Sequence, residues 1–135
     1  MIRQKIISLI KKSIKDLQKS GKIPQCEISE IKIEIPGKES HGDYATNIAM
    51  AIAKQAGKNP IEIANFLSEK LKTLDKKGTP RRVAKGKLFE KIKVAEPGFI
   101  NFWISQTEIE KLYSEYLKRA VKIFPSLDSP SRRGG

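Results

Sequence analysis

The sequence predicts an α+β fold, a two-layer domain with helices packed on one face of a small, mainly antiparallel sheet, in the order α-β-αα-ββ-α. Three observations predict it. Apolar residues recur at three- and four-residue spacings in several stretches, the mark of helices with one buried face. Three other stretches alternate with period two, as half-buried strands do. Turn residues separate the segments at short intervals. A chain of 135 residues has room for one such domain. That domain is expected over residues 1–124, and residues 125–135, with two Pro, three Ser and two Gly, read as a linker or disordered tail.

The elements follow in order. Residues 2–20 place Ile7, Ile10, Ile14 and Leu17 on one helical face, and Gly21 ends the helix. Residues 30–35 alternate Ile31, Ile33 and Ile35 with Lys32 and Glu34, a strand closed by Pro36-Gly37. A second helix is expected from Asp43, as its cap, to about Ala56. Its inner face, with Ala45, Ile48, Ala49, Ile52, Ala53 and Ala56, is small enough for close packing. Asn59-Pro60-Ile61-Glu62 starts a third helix: Asn caps, Pro fits the first turn, and Glu holds the capping-box position. Ile63, Leu67, Leu71 and Leu74 continue its stripe.

A basic loop follows from Lys76 to Lys87, with Gly78, Pro80 and Gly86. Beyond it, Ile92 and Val94 alternate with Lys91, Lys93 and Ala95. After the turn Glu96-Pro97-Gly98, Ile100, Phe102 and Ile104 alternate with Phe99, Asn101 and Trp103. Ser105 to Glu108 is a capping box that opens a last helix, with Ile109, Leu112, Tyr113, Tyr116, Ala120 and Val121 expected inward.

The formal net charge is +12, and its distribution narrows the choice of partner. Residues 2–20 hold six cations against Asp16, a net of +5. Residues 72–93 hold nine cations against Asp75 and Glu90, a net of +7. The rest of the chain is neutral, so the excess sits in two segments, as a surface that tracks a phosphate backbone requires. With Cys26 the lone cysteine, no internal disulfide forms, and a single His with a single Cys cannot supply a zinc shell. No metal site is expected. The absence of a secretory core or long apolar run predicts a cytoplasmic chain with no membrane partner.

The strand from Phe99 to Ile104 carries the chemistry. If Ile100, Phe102 and Ile104 face the core, period-two geometry sends Phe99, Asn101 and Trp103 to the opposite face. A ring there stacks an unpaired base, and an amide both donates to and accepts from its edge. Pattern alone leaves a second reading open, in which Phe99 and Trp103 pack under a helix or a neighbouring domain. His41-Gly42-Asp43 admits a His-Asp dyad, but structural roles fit better: Gly42 allows a tight turn and Asp43 caps a helix. Cys26 has no activating group nearby in sequence.

Three motifs carry a resemblance to a known family. His41-Gly-Asp-Tyr-Ala-Thr-Asn-Ile-Ala-Met, Lys58-Asn-Pro-Ile-Glu-Ile-Ala and Glu90-Lys-Ile-Lys-Val-Ala-Glu-Pro-Gly-Phe-Ile-Asn-Phe stand in the order and spacing of the amino-terminal additional domain of arginyl-tRNA synthetases. The resemblance covers roughly residues 1–120. It implies a helix-and-antiparallel-sheet domain that grips the outer corner of tRNA(Arg), where the D-loop lies. It further implies that Phe99 and Asn101 read an exposed D-loop nucleotide, with Trp103 added by alternation alone. Arg81, Arg82, Lys85 and Lys87 are the expected phosphate contacts, and His41, Gly42, Asp43, Asn59, Pro60, Pro97 and Gly98 the structural motif. Glu96 departs from the neutral or small residue expected before Pro-Gly.

The family's catalytic part carries a two-histidine motif, and this chain has one histidine. The chain is therefore expected not to be an enzyme by itself and to have no catalytic residue and no cofactor, ATP and Mg belonging to the missing catalytic domain. A synthetase catalytic domain, in cis or in trans, is the second expected partner, and a monomer the expected state. Two alternatives remain: a general basic RNA- or ribosome-binding module, and a protein-interaction domain that docks a synthetase core through Tyr113, Tyr116 and the last helix.

Overall fold

The computed structural model describes residues 2–28, 30–77 and 87–128. Helix α1, Ile2–Lys19, buries Ile2, Ile6, Ile10, Ile14 and Leu17. Ile7, expected on that face, lies half-buried at its edge, because the stripe runs through Ile2 and Ile6.

The strand expected at 30–35 is corrected. Ile31 and Ile33 are buried, but the segment runs as an extended strap whose sheet-type pairing among the described residues is the bridge between Glu34 and Ala45, with 2.8 Å N–H···O bonds in both directions. Ile35 is 68% exposed. Alternation placed Ile31 and Ile33 inward but not Ile35, and it could not supply a strand alongside.

The first strand is instead β1, Tyr44–Thr46, so the expected element order survives with its strand displaced. The helix start at Asp43 is corrected with it. Helix α2, Ile48–Ala56, begins after Asn47, and Thr46 Oγ1 accepts from the Ile48 N–H at 3.3 Å. Asn59 caps helix α3, Pro60–Lys77, as expected, its Oδ1 accepting from the Ile61 N–H at 2.8 Å.

Strands β2, Phe89–Ala95, and β3, Phe99–Ile104, form an antiparallel hairpin, and the sheet order is β1-β3-β2. Central β3 pairs Tyr44, Ala45 and Thr46 with Phe102, Asn101 and Ile100 on one side, and Lys93 with Asn101 on the other. Helices α2 and α3 pack on the inner face, and α1 packs against α3. Ile92, Ile100, Phe102 and Ile104 meet Ile52, Ile63, Leu67 and Leu71 in one core. A register shift between Phe89 and Lys91 accompanies the inward turn of Phe89, which stacks on Phe102 with centroids 5.0 Å apart.

Helix α4, Gln106–Ile123, is capped by Ser105, whose Oγ accepts from the Glu108 N–H at 3.2 Å. The reciprocal arm of the expected capping box is diverted, since the Glu108 carboxylate pairs with Lys5 of α1. The expected inward face of α4 is also corrected. Ile109, Leu112, Tyr113 and Tyr116 are exposed, and Ala120 and Val121 are half-buried. The bonds that tie α4 to the domain are those of Ser105 and Glu108 at its start, and among the described residues nothing covers the stripe. Pro125–Asp128 makes a 3-10 turn at the start of the expected tail, whose remaining residues lie outside the described ones.

Candidate nucleic-acid interface

The outer face of the sheet is built by the alternation of β3. Ile100, Phe102 and Ile104 are buried on the inner side, while Phe99 and Trp103 are half-buried on the outer one. Asn101 departs from the expectation of an amide turned to open water, because it is 7% exposed. The reason is the strap that crosses beyond β1. Glu34, Ile35, Pro36, Gly37 and His41 rise on one side, Ala95 and Glu96 on the other, and Ala45, Phe99 and Asn101 complete a cleft of about 320 Å³.

Within that cleft the Asn101 amide has no hydrogen-bonding partner among the described residues. It is not sealed either, since Ser13 Oγ is the fully enclosed, unpartnered side-chain polar atom found among them. Small Ala45, paired with Asn101 across the ladder, leaves the amide reachable. A nearly buried polar group that keeps its solvent contact in a concavity is poised to bond a ligand instead of a neighbour.

The Trp103 ring is approached by two neighbours. Lys91 Nζ sits 4.7 Å from its ring centroid, and Gly42 lies so close that a Cβ there would be 3.2 Å from Cδ2. Lys91 and Lys93 are exposed on β2, opposite Trp103 and Asn101 respectively. Sequence reasoning put both in a basic segment but did not name them as contacts. The period-two pattern of β2, which sends its odd-numbered lysines to the face of Asn101, was the available signal. Lys87 is exposed at the mouth of β2, and its carbonyl accepts from Ser105 Oγ at 2.7 Å. Arg81, Arg82 and Lys85 lie outside the described residues.

The His41-Gly42-Asp43 motif is structural in its last two members. The Asp43 N–H donates to the Phe102 carbonyl and its carboxylate accepts from the Ile104 N–H, each at 2.8 Å, so Asp43 extends the β1–β3 ladder and forms no dyad with His41. His41 ends a 3-10 turn, Glu39–His41, and lines the cleft, a place that sequence reasoning did not give it. Gly98 closes the hairpin, its N–H donating to the Ala95 carbonyl at 2.9 Å. Its Cα presses on the junction of α2 and α3, where an added Cβ would come within 2.9 Å of Met50 and Pro60. Pro97 precedes it in the turn and Pro60 opens α3.

A family model described as the arginyl tRNA synthetase N terminal domain matches residues 4–104. An arginine–tRNA ligase of Ruminiclostridium cellulolyticum is 36% identical over 106 residues, covering 78% of this chain and 17% of that protein. One from Listeria welshimeri is 36% identical over 108 residues, covering 80% and 17%. Among solved structures, the arginyl-tRNA synthetase of Thermus thermophilus superposes with a TM-score of 0.55 at 26% identity, over 87% of this chain and 16% of that one. The Plasmodium falciparum enzyme gives 0.55 at 25%, over 80% and 17%. The chain thus spans under a fifth of the length of these relatives. No helix among the described residues is long and apolar enough to cross a membrane.

Proposed function

Because the chain belongs to the arginyl-tRNA synthetase N-terminal domain family, we propose that it binds tRNA(Arg) at the outer corner and receives one unpaired D-loop nucleotide in the Phe99–Asn101 cleft. The observation that carries this reading is the unpartnered Asn101 amide on the cleft floor, with the half-exposed Phe99 ring beside it. Stacking on the ring supplies affinity, and the amide supplies discrimination among bases. Lys87, Lys91 and Lys93, together with Arg81, Arg82 and Lys85, neutralise the flanking phosphates. Trp103 packs beneath Lys91 and holds that ammonium in place.

The reading assigns the chain no aminoacylation and no ATP or Mg of its own, and places it in the cytoplasm as a monomer. Fluorescence anisotropy with tRNA(Arg) transcripts and a plain RNA duplex tests it. Phe99→Ala is expected to weaken tRNA binding by about 5- to 100-fold, and Asn101→Ala to weaken it mainly for tRNAs with the cognate D-loop base. Equal binding of duplex and tRNA, with a steep salt slope and no effect of either variant, favours a general basic RNA-binding module instead.

One observation favours a second, compatible role. Ile109, Leu112, Tyr113, Tyr116 and Leu117 form an uncovered apolar stripe on α4, and a shallow cavity of about 360 Å³ runs beside it. This face suits a protein surface, and the partner proposed for it is the catalytic body of a synthetase. Gel filtration with a synthetase core lacking this domain tests the docking, and Tyr116→Glu is expected to abolish co-elution.

A further inference from the structure

Resting on the cleft reading above, we propose that Glu96 and Glu34 make the cleft selective for a nucleobase bearing an exocyclic amino group, so that adenine, cytosine or guanine is accepted and uracil refused. Among the described residues that line the cleft, the ionisable side chains are Glu34, Glu96 and His41, and the Asn101 amide is the polar group on the floor. An ionised carboxylate only accepts hydrogen bonds, whereas the amide does both. The lining is therefore richer in acceptors than in donors, and a ligand must bring the N–H groups.

Two fixed points hold the acids at the cleft. The Glu34 backbone is bonded in both directions to Ala45, the β1 neighbour of Asn101. Glu96 sits in the three-residue turn between Ala95 and Phe99, which Gly98 fastens to Met50 and Pro60. Neither acid has an ion-pair partner among the described residues. Two unneutralised carboxylates also exclude phosphate from the cleft, which leaves the backbone of the nucleotide to Lys91 and Lys93 outside it.

The bases differ in what they bring. Adenine, cytosine and guanine each present an amino group, which a carboxylate accepts. Uracil offers one imino N–H flanked by two carbonyl oxygens, and a carbonyl facing a carboxylate is repelled. At about 320 Å³ the cleft is at the lower end of the ligand-pocket range, suited to a single base. The acid before Pro-Gly, which the family resemblance left without a role, thereby becomes a specificity-determining residue.

A titration of the full chain followed by heteronuclear NMR tests this, with adenosine, cytidine, guanosine and uridine as probes and the Asn101 side-chain NH2 signal as reporter. The amino-bearing nucleosides are expected to shift that signal with at least about fivefold lower Kd than uridine. Glu96→Gln, which supplies a donor and removes the charge, is expected to bring uridine within about twofold of cytidine; Glu34→Gln gives a smaller change in the same direction. The dispersion of the backbone signals verifies that both variants fold. Four equal affinities, or an unchanged preference in both variants, overturn the proposal and leave the cleft reading standing. If no nucleoside moves the Asn101 signal, the cleft reading fails and this proposal with it.

Discussion

The Asp43 carboxylate accepts a hydrogen bond at 2.8 Å from the backbone N–H of Ile104, 61 residues further along the chain. A side chain thus supplies the rung of the β1–β3 ladder that the backbone lacks. Asp43→Ala removes that acceptor and is expected to destabilise the domain by about 1–2 kcal/mol. Asp43→Asn keeps an acceptor oxygen and is expected to cost less than half as much. Thermal unfolding followed by circular dichroism separates the two variants; equal losses would show that the bond is not the source.

Gly42 stands against the same strand. Its φ of 96° is unfavourable for a side chain, and a Cβ would lie 2.7 Å from the Phe102 carbonyl oxygen. Gly42→Ala is expected to cost about 2 kcal/mol or more. Because Trp103 touches the same space, its fluorescence maximum is expected to shift in the folded variant.

Ser13 provides a change of opposite sign. Its hydroxyl is wholly enclosed in α1 with no partner among the described residues. Ser13→Ala removes an unsatisfied polar atom from the core and is expected to stabilise the chain by about 1 kcal/mol. A lower melting temperature for the variant would show that the hydroxyl is bonded after all.

Asp75, near the end of α3, is 7% exposed and accepts from the N–H groups of Leu88 and Phe89 at 2.9 and 3.0 Å. It fixes the point at which the chain re-enters the sheet. Asp75→Ala leaves both donors without that acceptor and is expected to cost about 2–4 kcal/mol. Amide hydrogen exchange at Leu88 and Phe89 is expected to accelerate more than at Ile100.

The lysines beside the cleft predict a salt effect. Removing one cation that neutralises a phosphate is expected to reduce the slope of log affinity against log salt by about 0.7–0.9. Lys93→Ala and Lys91→Ala are each expected to lower it by roughly that amount. An unchanged slope in both would place the phosphates elsewhere.

The local signals in the sequence translated well into structure. Isoleucine spacing gave α1, Asn59-Pro60 gave the start of α3, and the alternation around Pro97-Gly98 gave the hairpin. What sequence did not reveal depends on distant partners. Tyr44-Ala45-Thr46 is too short to show a period, and it is a strand only because β3 lies beside it. The strap at 30–35 shows the reverse, a clear period with one bridge to pair it. The stripe on α4 was legible as apolar, but no periodicity states whether a surface waits to cover it. The outer face of β3 was likewise legible from alternation, whereas its enclosure by Glu34, Pro36 and His41 arises from a chain crossing that no local pattern encodes.

The contact of Gly98 with Met50 and Pro60 has a kinetic consequence. It wedges the hairpin tip onto the helical layer, so on the reading proposed above the wall that would receive a nucleotide is already in place in the free chain. On that reading, the encounter rate is expected to be set by long-range attraction between the basic surface and the polyanion, and so to fall as salt rises.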